Sequence, residues 1–359
     1  MNATTAVRPR LDALTSLRFV AAFVVFMHHA GPFLPDDPLH RVTAQGATGV
    51  SFFFVLSGFV LTWSRRSTDT PVAFFRRRFA RIWPAHVVAL AVLILLPYGP
   101  MYNEFRGGAA GTIACVLLVQ AWSPSETIYF AGNAPTWSLS CEVFFYALFP
   151  AMVHRIAALS HRRQTQLAVG LFAVPLVIAT VSASSKEPFW AWLRYISPPV
   201  RLTEFGLGIL VALAVQDGRW RKVPVWVATV LTCGAYLLAG YVPAGFLPVA
   251  VTLAPICLLI GTVAAHELAG TVPRILRAKW AVRLGVWSFC FYLVHQFTLG
   301  TIVTYFVRHH GTGFRVYLAA DIVAFFAALA GAALLHQYVE KPFERRLRGT
   351  AQLPQSSRA

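Results

Sequence analysis

Charge is what this sequence has least of. Asp, Glu, Lys and Arg make up 13% of its 359 residues, about half the share of a soluble domain. The shortage falls on acids, with 14 against 31 basic residues, and on lysine, with four against 27 arginines. The five cysteines, Cys115, Cys141, Cys233, Cys257 and Cys290, stand singly without C-x-x-C spacing. A zinc ribbon or thiol redox motif is therefore not expected, and the thiols read as small hydrophobes. Also missing are a Gly-rich phosphate loop, a metal-spaced His/Asp cluster and a G-x-S-x-G elbow. These absences exclude an ordinary soluble enzyme, and the 57% of hydrophobic residues excludes a disordered chain.

What the sequence does have is apolar blocks near 20 residues long, separated by short Arg-rich stretches. A hydrocarbon core of about 30 Å needs about 20 apolar residues per helical crossing. The pattern predicts an all-α polytopic membrane protein with about ten spans. They fall near 12–31, 47–64, 83–98, 138–153, 165–183, 199–216, 224–241, 246–266, 284–306 and 316–338. With both termini cytoplasmic, the inner connections hold 23 Lys and Arg and the outer ones 6, as the positive-inside rule asks. That asymmetry accounts for the net charge of +17 without a nucleic-acid partner. It also sets segment 110–122 aside as a non-spanning piece, because a crossing there would invert the later loops. The first span reads as retained rather than as a cleaved signal, since Arg18 and His28-His29 interrupt it. Residues 1–345 read as one membrane domain, and 346–359 as a short disordered cytoplasmic tail.

Ionisable side chains at membrane depth are costly and usually functional. Arg18 and His29 lie eleven residues apart, three helical turns, so they share one face of span one at about 16 Å along its axis. Glu142 enters one turn into span four, on the side of His29, where a carboxylate could orient an imidazole. Arg201 and Glu204 can pair across one turn of span six. His295 sits near the middle of span nine, after Tyr292. Asp321 and His336 read as structural. The stretch Phe74-Phe75-Arg76-Arg77-Arg78-Phe79-Ala80-Arg81-Ile82-Trp83-Pro84 reads as an amphipathic interfacial helix or as an Arg cluster suited to phosphate. A transporter or flippase with proton-coupled His29 and Glu142 would share this composition, although no internal repeat supports one.

In chain order, these segments resemble the membrane-bound acyltransferase 3 family. The matching pieces are Leu14-Thr15-Ser16-Leu17-Arg18-Phe19 with the Arg-x10-His spacing to His29, Phe53-Phe54-Val55-Leu56-Ser57-Gly58-Phe59, and Arg77-Arg78-x-x-Arg81-Ile82-x-Pro84. Further along come Trp137-Ser138-Leu139-Ser140-x-Glu142-x-x-Phe145-Tyr146 and Arg201-x-x-Glu204-Phe205-x-x-Gly208. The last are Ser288-x-x-x-Tyr292-Leu293-x-His295 and Tyr338-x-x-x-Pro342. The resemblance implies transfer of an acyl group, usually acetyl, from cytoplasmic acyl-coenzyme A to a hydroxyl of a surface glycan, sugar or macrolide, at the bacterial plasma membrane. It implies His29, Arg18 and Glu142 as catalytic residues, and Arg77, Arg78 and Arg81 as holding coenzyme A phosphates. Ser140, Tyr146, Arg201, Glu204, Tyr292 and His295 are assigned to the substrate path. No metal is expected.

Overall fold

The computed structural model describes residues 8–30, 40–65, 70–96, 107–221, 223–242 and 248–347. These form helices and no strand. In chain order, the helices used below are α1 (Asp12–Ala30), α2 (Thr48–Trp63), α3 (Pro71–Leu95), α4 (Gly108–Val116) and α5 (Trp137–Ala157). They continue with α6 (His161–Val181), α7 (Pro188–Tyr195), α8 (Pro198–Gln216), α9 (Val225–Ala239) and α10 (Pro248–Leu268). The series closes with α11 (Lys279–His310), α12 (Phe314–Leu335), a π-helical turn at His336–Glu340, and α13 (Lys341–Leu347).

Nine helices of the described residues are long and apolar enough to cross a membrane. The tenth expected span is α9, whose 15 residues reach only about 22 Å. It packs lengthwise against α10. Helix α4 has nine residues, too short to cross, as expected for segment 110–122. The expected tail from 346 begins as the end of α13, and residues 348–359 lie outside the described part.

Local chemistry sets several helix ends. Thr70 caps α3, its hydroxyl accepting from Ala73 N at 3.2 Å, with Pro71 in the first turn where the missing N–H does no harm. Ser160 caps α6 in the same manner. The start of α1 is capped from a distance. The Glu267 carboxylate, at the end of α10, accepts from Asp12 N at 2.8 Å and Ala13 N at 3.1 Å. A carboxylate there satisfies two free N–H groups and complements the helix dipole.

The core is organised around α8, which packs on α2, α5, α6 and α10. Its residues from Thr203 to Leu213 are all buried, and a helix apolar all round belongs inside a bundle. The α2–α8 crossing is made by two glycines. A Cβ on Gly58 would stand 2.1 Å from Phe205 O, and one on Gly208 2.0 Å from Val55 O. Only glycine lets the two backbones meet so closely, the small-residue packing of membrane helices. On the other side, α1 lies against α11, which pairs along its length with α12.

One boundary differs from the sequence reading. Span three was expected to begin near residue 83, with an interfacial helix before it. Instead α3 runs unbroken through Pro84, the proline removing a single backbone bond. Arg78 and Arg81 thereby turn into the bundle, while Phe75, Arg76 and Phe79 stay on its outer side.

Candidate active site

A part-open cleft lies among α1, α2, α3, α5 and α11. Three guanidinium groups reach it: Arg18 from α1, and Arg78 and Arg81 from successive turns of α3. One carboxylate, Glu142, faces them, so the cleft carries two more positive than negative charges. Glu142 Oε2 accepts from the Tyr146 hydroxyl at 2.7 Å, and that hydroxyl lies 3.4 Å from Ser57 Oγ. Arg78 is braced by the Phe74 ring at 5.9 Å, and its buried Nε has no hydrogen-bond partner. An unpaired guanidinium N–H in a low-dielectric wall is costly unless a ligand meets it. The apolar part of the wall is aromatic, with Phe53, Phe54, Phe289 and Tyr292. Such a cluster is suited to a phosphorylated group, because guanidinium forks match phosphate oxygens.

The second part of the site lies further along α1. His29 Nδ1 is 3.0 Å from Val25 O and 3.1 Å from His295 Nε2 of α11. His295 Nδ1 is 2.7 Å from Tyr292 O. His295 is fully buried and stacks on Phe291, with Phe26 and Tyr292 against its ring. Tyr292 belongs to both parts: its side chain lines the cleft, and its hydroxyl lies 2.8 Å from Ser138 Oγ and from Pro135 O.

Of the expected site residues, Arg18, Arg78, Arg81, Glu142, Tyr146 and Tyr292 converge on the cleft. His29 and His295 converge on each other. Other expected residues are placed elsewhere. Glu142 does not orient His29: its hydroxyl partner is Tyr146, and the cations acting on it are Arg81, Arg18 and Arg78. His29 meets an imidazole instead. Arg77 is not among the residues that line the cleft. Ser140 lies behind the wall, where its Oγ accepts from Ala121 N at 3.3 Å and ties a loop to α5.

Arg201 and Glu204 form a buried ion pair, each 1% exposed. Arg201 Nε donates to Tyr195 O, Nη1 donates to Glu204, and the guanidinium lies over the Tyr195 and Trp137 rings at 4.5 and 5.7 Å. The pair joins α8 to α7, α5 and Ser51 of α2, and it does not reach the cleft.

Sequence reasoning overlooked two groups. Ser57 lines the cleft although its motif had been noted only as a pattern. Glu340, in the π-turn, accepts from His336 Nδ1 at 2.7 Å and Cys290 Sγ at 3.2 Å, and its charge acts on Arg81. The ligand atoms of Cys290, His336 and Glu340 lie within 4.8 Å of one another. This is a donor set a zinc ion could use. Here the carboxylate already takes two hydrogen bonds and faces the positive charge of Arg81, so the cluster is satisfied by its own donors. Asp321 is buried in α12 with Oδ1 unpartnered, away from both parts of the cleft lining.

Comparison with known proteins places this geometry. Residues 11–337 match the acyltransferase domain of the acyltransferase 3 family. The acyltransferase MdmB of Streptomyces mycarofaciens is 37% identical, over 94% of this chain and 92% of its own length. The exopolysaccharide production protein ExoZ of Rhizobium meliloti (strain 1021) is 28% identical over 84% and 90%. The O-acetyl transferase of Shigella phage Sf6 is 22% identical over 70% and 78%. No solved structure matches. The family match spans the cationic cleft and the histidine pair alike: the chain belongs to the acyltransferase 3 family and is a multi-pass membrane O-acyltransferase.

Proposed function

We propose that the chain moves an acyl group, acetyl first among the candidates, from cytoplasmic acyl-coenzyme A to a hydroxyl of a glycan, sugar or macrolide-type metabolite, at the bacterial plasma membrane. The observation that carries the donor is the excess of guanidinium in the cleft, with the buried Arg78 Nε unpaired. Coenzyme A brings phosphates to meet those cations and a long thin arm to carry its thioester away from them. Arg18 and His29 are about 16 Å apart along α1, a separation that such an arm can bridge past Tyr292 and Phe53. The acceptor class rests on the names of relatives, among them ExoZ, named for exopolysaccharide production, and a peptidoglycan O-acetyltransferase of Listeria monocytogenes.

In this reading His29 Nε2 takes the proton of the acceptor hydroxyl as its oxygen attacks the thioester carbonyl. The C–O bond forms, the tetrahedral oxyanion collapses, and the C–S bond breaks. The thiolate of coenzyme A then takes the proton from His29, leaving an ester and free thiol. A positioned imidazole contributes typically 10²–10⁴-fold to such a step. Arg18, Arg78 and Arg81 hold the donor, and Glu142, fixed by Tyr146, spaces the cations.

The test is acetyl transfer from radiolabelled acetyl-coenzyme A in purified membranes, with a panel of sugar and macrolide acceptors. His29→Ala is expected to abolish transfer while donor binding persists. Arg78→Leu is expected to weaken donor binding by 10-fold or more, since a hydrogen bond to a charged group is worth about 1.5–3 kcal/mol. Donor binding untouched by Arg78→Leu and Arg81→Leu together would overturn the assignment of the cleft.

A further inference from the structure

The two histidines of the site make a hydrogen-bonded chain whose direction is fixed by its ends. A backbone carbonyl can only accept. His295 Nδ1 lies 2.7 Å from Tyr292 O, so the hydrogen of neutral His295 is on Nδ1 and its Nε2 bears a lone pair. That lone pair faces His29 Nδ1 at 3.1 Å. His29 Nδ1 also lies 3.0 Å from Val25 O, a second pure acceptor. Both neighbours therefore require a hydrogen on His29 Nδ1. Its Nε2 is left as the nitrogen with a free lone pair, the arrangement a general base needs.

We propose that His295 is a positioning residue that holds His29 in the Nδ1–H tautomer and accepts its hydrogen bond through the proton-transfer step. It does with a neutral imidazole what a carboxylate does in a Ser-His-Asp triad. The role of the second nitrogen in setting the tautomer of the first is general for histidine. The surroundings suit a neutral partner: His295 is fully buried and walled by Phe26, Phe291 and Tyr292. Those rings stop it turning, and Tyr292 O stops it exchanging its two nitrogens. When His29 takes a proton at Nε2, the Nδ1–H···Nε2 bond to His295 shortens and spreads the charge over both rings. Glu142, bonded to Tyr146 and in the field of three arginines, is not needed for this.

The tautomer is a property of the free protein, so it can be read apart from the acyl-transfer function on which the mechanistic part rests. The full chain, labelled with ¹⁵N-histidine and reconstituted in nanodiscs, is examined by NMR at a pH where the histidines are neutral. Signals are assigned by His29→Gln and His295→Gln. The expected result is a protonated Nδ1 and bare Nε2 for both residues. In His295→Leu only Val25 O is left to hold that hydrogen, and the His29 signal shifts part of the way toward the Nε2–H form. The rate kcat falls by about 10²–10⁴-fold, the contribution of a positioned general base, at unchanged KM for the donor. In His295→Gln the amide oxygen offers an acceptor again, restoring the tautomer and most of kcat. A protonated Nε2 on His29 in the unsubstituted protein overturns the proposal. So does a His29 tautomer unmoved by His295→Leu, whatever the rate does. Should the tautomers be as stated while no acyl donor is turned over, the acyl-coenzyme A reading fails and the hydrogen-bonded pair stands.

Discussion

Replacing Glu204 with leucine strips the buried Arg201 guanidinium of the carboxylate it touches. Arg201 is 1% exposed, so water cannot take over. Tyr195 O and the two aromatic faces do not cancel a full charge. Breaking one side of a buried ion pair costs about 3–5 kcal/mol. Unfolding entropy scales near 2.1 cal/mol/K per residue, or about 0.75 kcal/mol/K for a chain of this length, which converts the loss to a fall in Tm of about 4–7 °C. Arg201→Leu is expected to do the same from the other side. The double variant R201L/E204L removes both desolvated charges, together with Arg201 Nη2 and Glu204 Oε2, which lack partners even in the intact pair. Such double replacements are often neutral or stabilising, so it is expected to recover most of the loss. The assay is thermal unfolding of the detergent-solubilised protein, paired with acetyl-coenzyme A binding. Single variants within about 1 °C of the parent would refute the energetic reasoning. A double variant of parental stability that no longer binds donor would return the pair to the substrate path.

Gly208→Ala places a methyl 2.0 Å from Val55 O, so α2 and α8 must separate. Overpacking of this kind costs about 1–3 kcal/mol, expected as a lower Tm and lower yield of folded protein, with Gly58→Ala behaving alike. Tyr146→Phe removes the hydroxyl that donates to Glu142 at 2.7 Å, a bond to a charged acceptor worth about 1.5–3 kcal/mol. Measured donor affinity should change by about 10-fold as Glu142 swings toward the arginines, with His29 tautomer unaltered.

The sequence carried the spans and most of the cationic cleft because both are local. Runs of about 20 apolar residues announce helices, and Arg78 and Arg81, three apart, must share a face. Helical spacing also put Arg18 and His29 on one side of α1. It could not say what stands opposite that side. His29 and His295 are 266 positions apart, and only the packing of α1 on α11 brings them together, so the nearer candidate Glu142 took the role. For Arg201 and Glu204 the i,i+3 pairing was readable, but their isolation from the cleft was not. The one hint was that α8 is apolar around its whole circumference, the mark of a helix with no wet or lipid face. The start of span three was placed near residue 83, where α3 in fact continues unbroken through Pro84. The long-range cap of α1 by Glu267 has no sequence signal, since its two ends lie more than 250 residues apart.

The π-turn at His336–Glu340 acts as a phase shifter in an otherwise continuous rod. Such a turn closes i→i+5 hydrogen bonds and takes up about one residue more than an α-helical turn, so the sequence register of the rod shifts by one position across it. Up to Leu335 the rod shows α11 one set of positions; beyond the turn, α13 shows α3 another. Glu340 is the residue delivered by that change of phase, aimed at Cys290 and within the field of Arg81. Length is therefore as constrained there as identity. Deleting a single residue from the turn would return it to α-helical spacing and remove the extra position through which Glu340 meets Cys290.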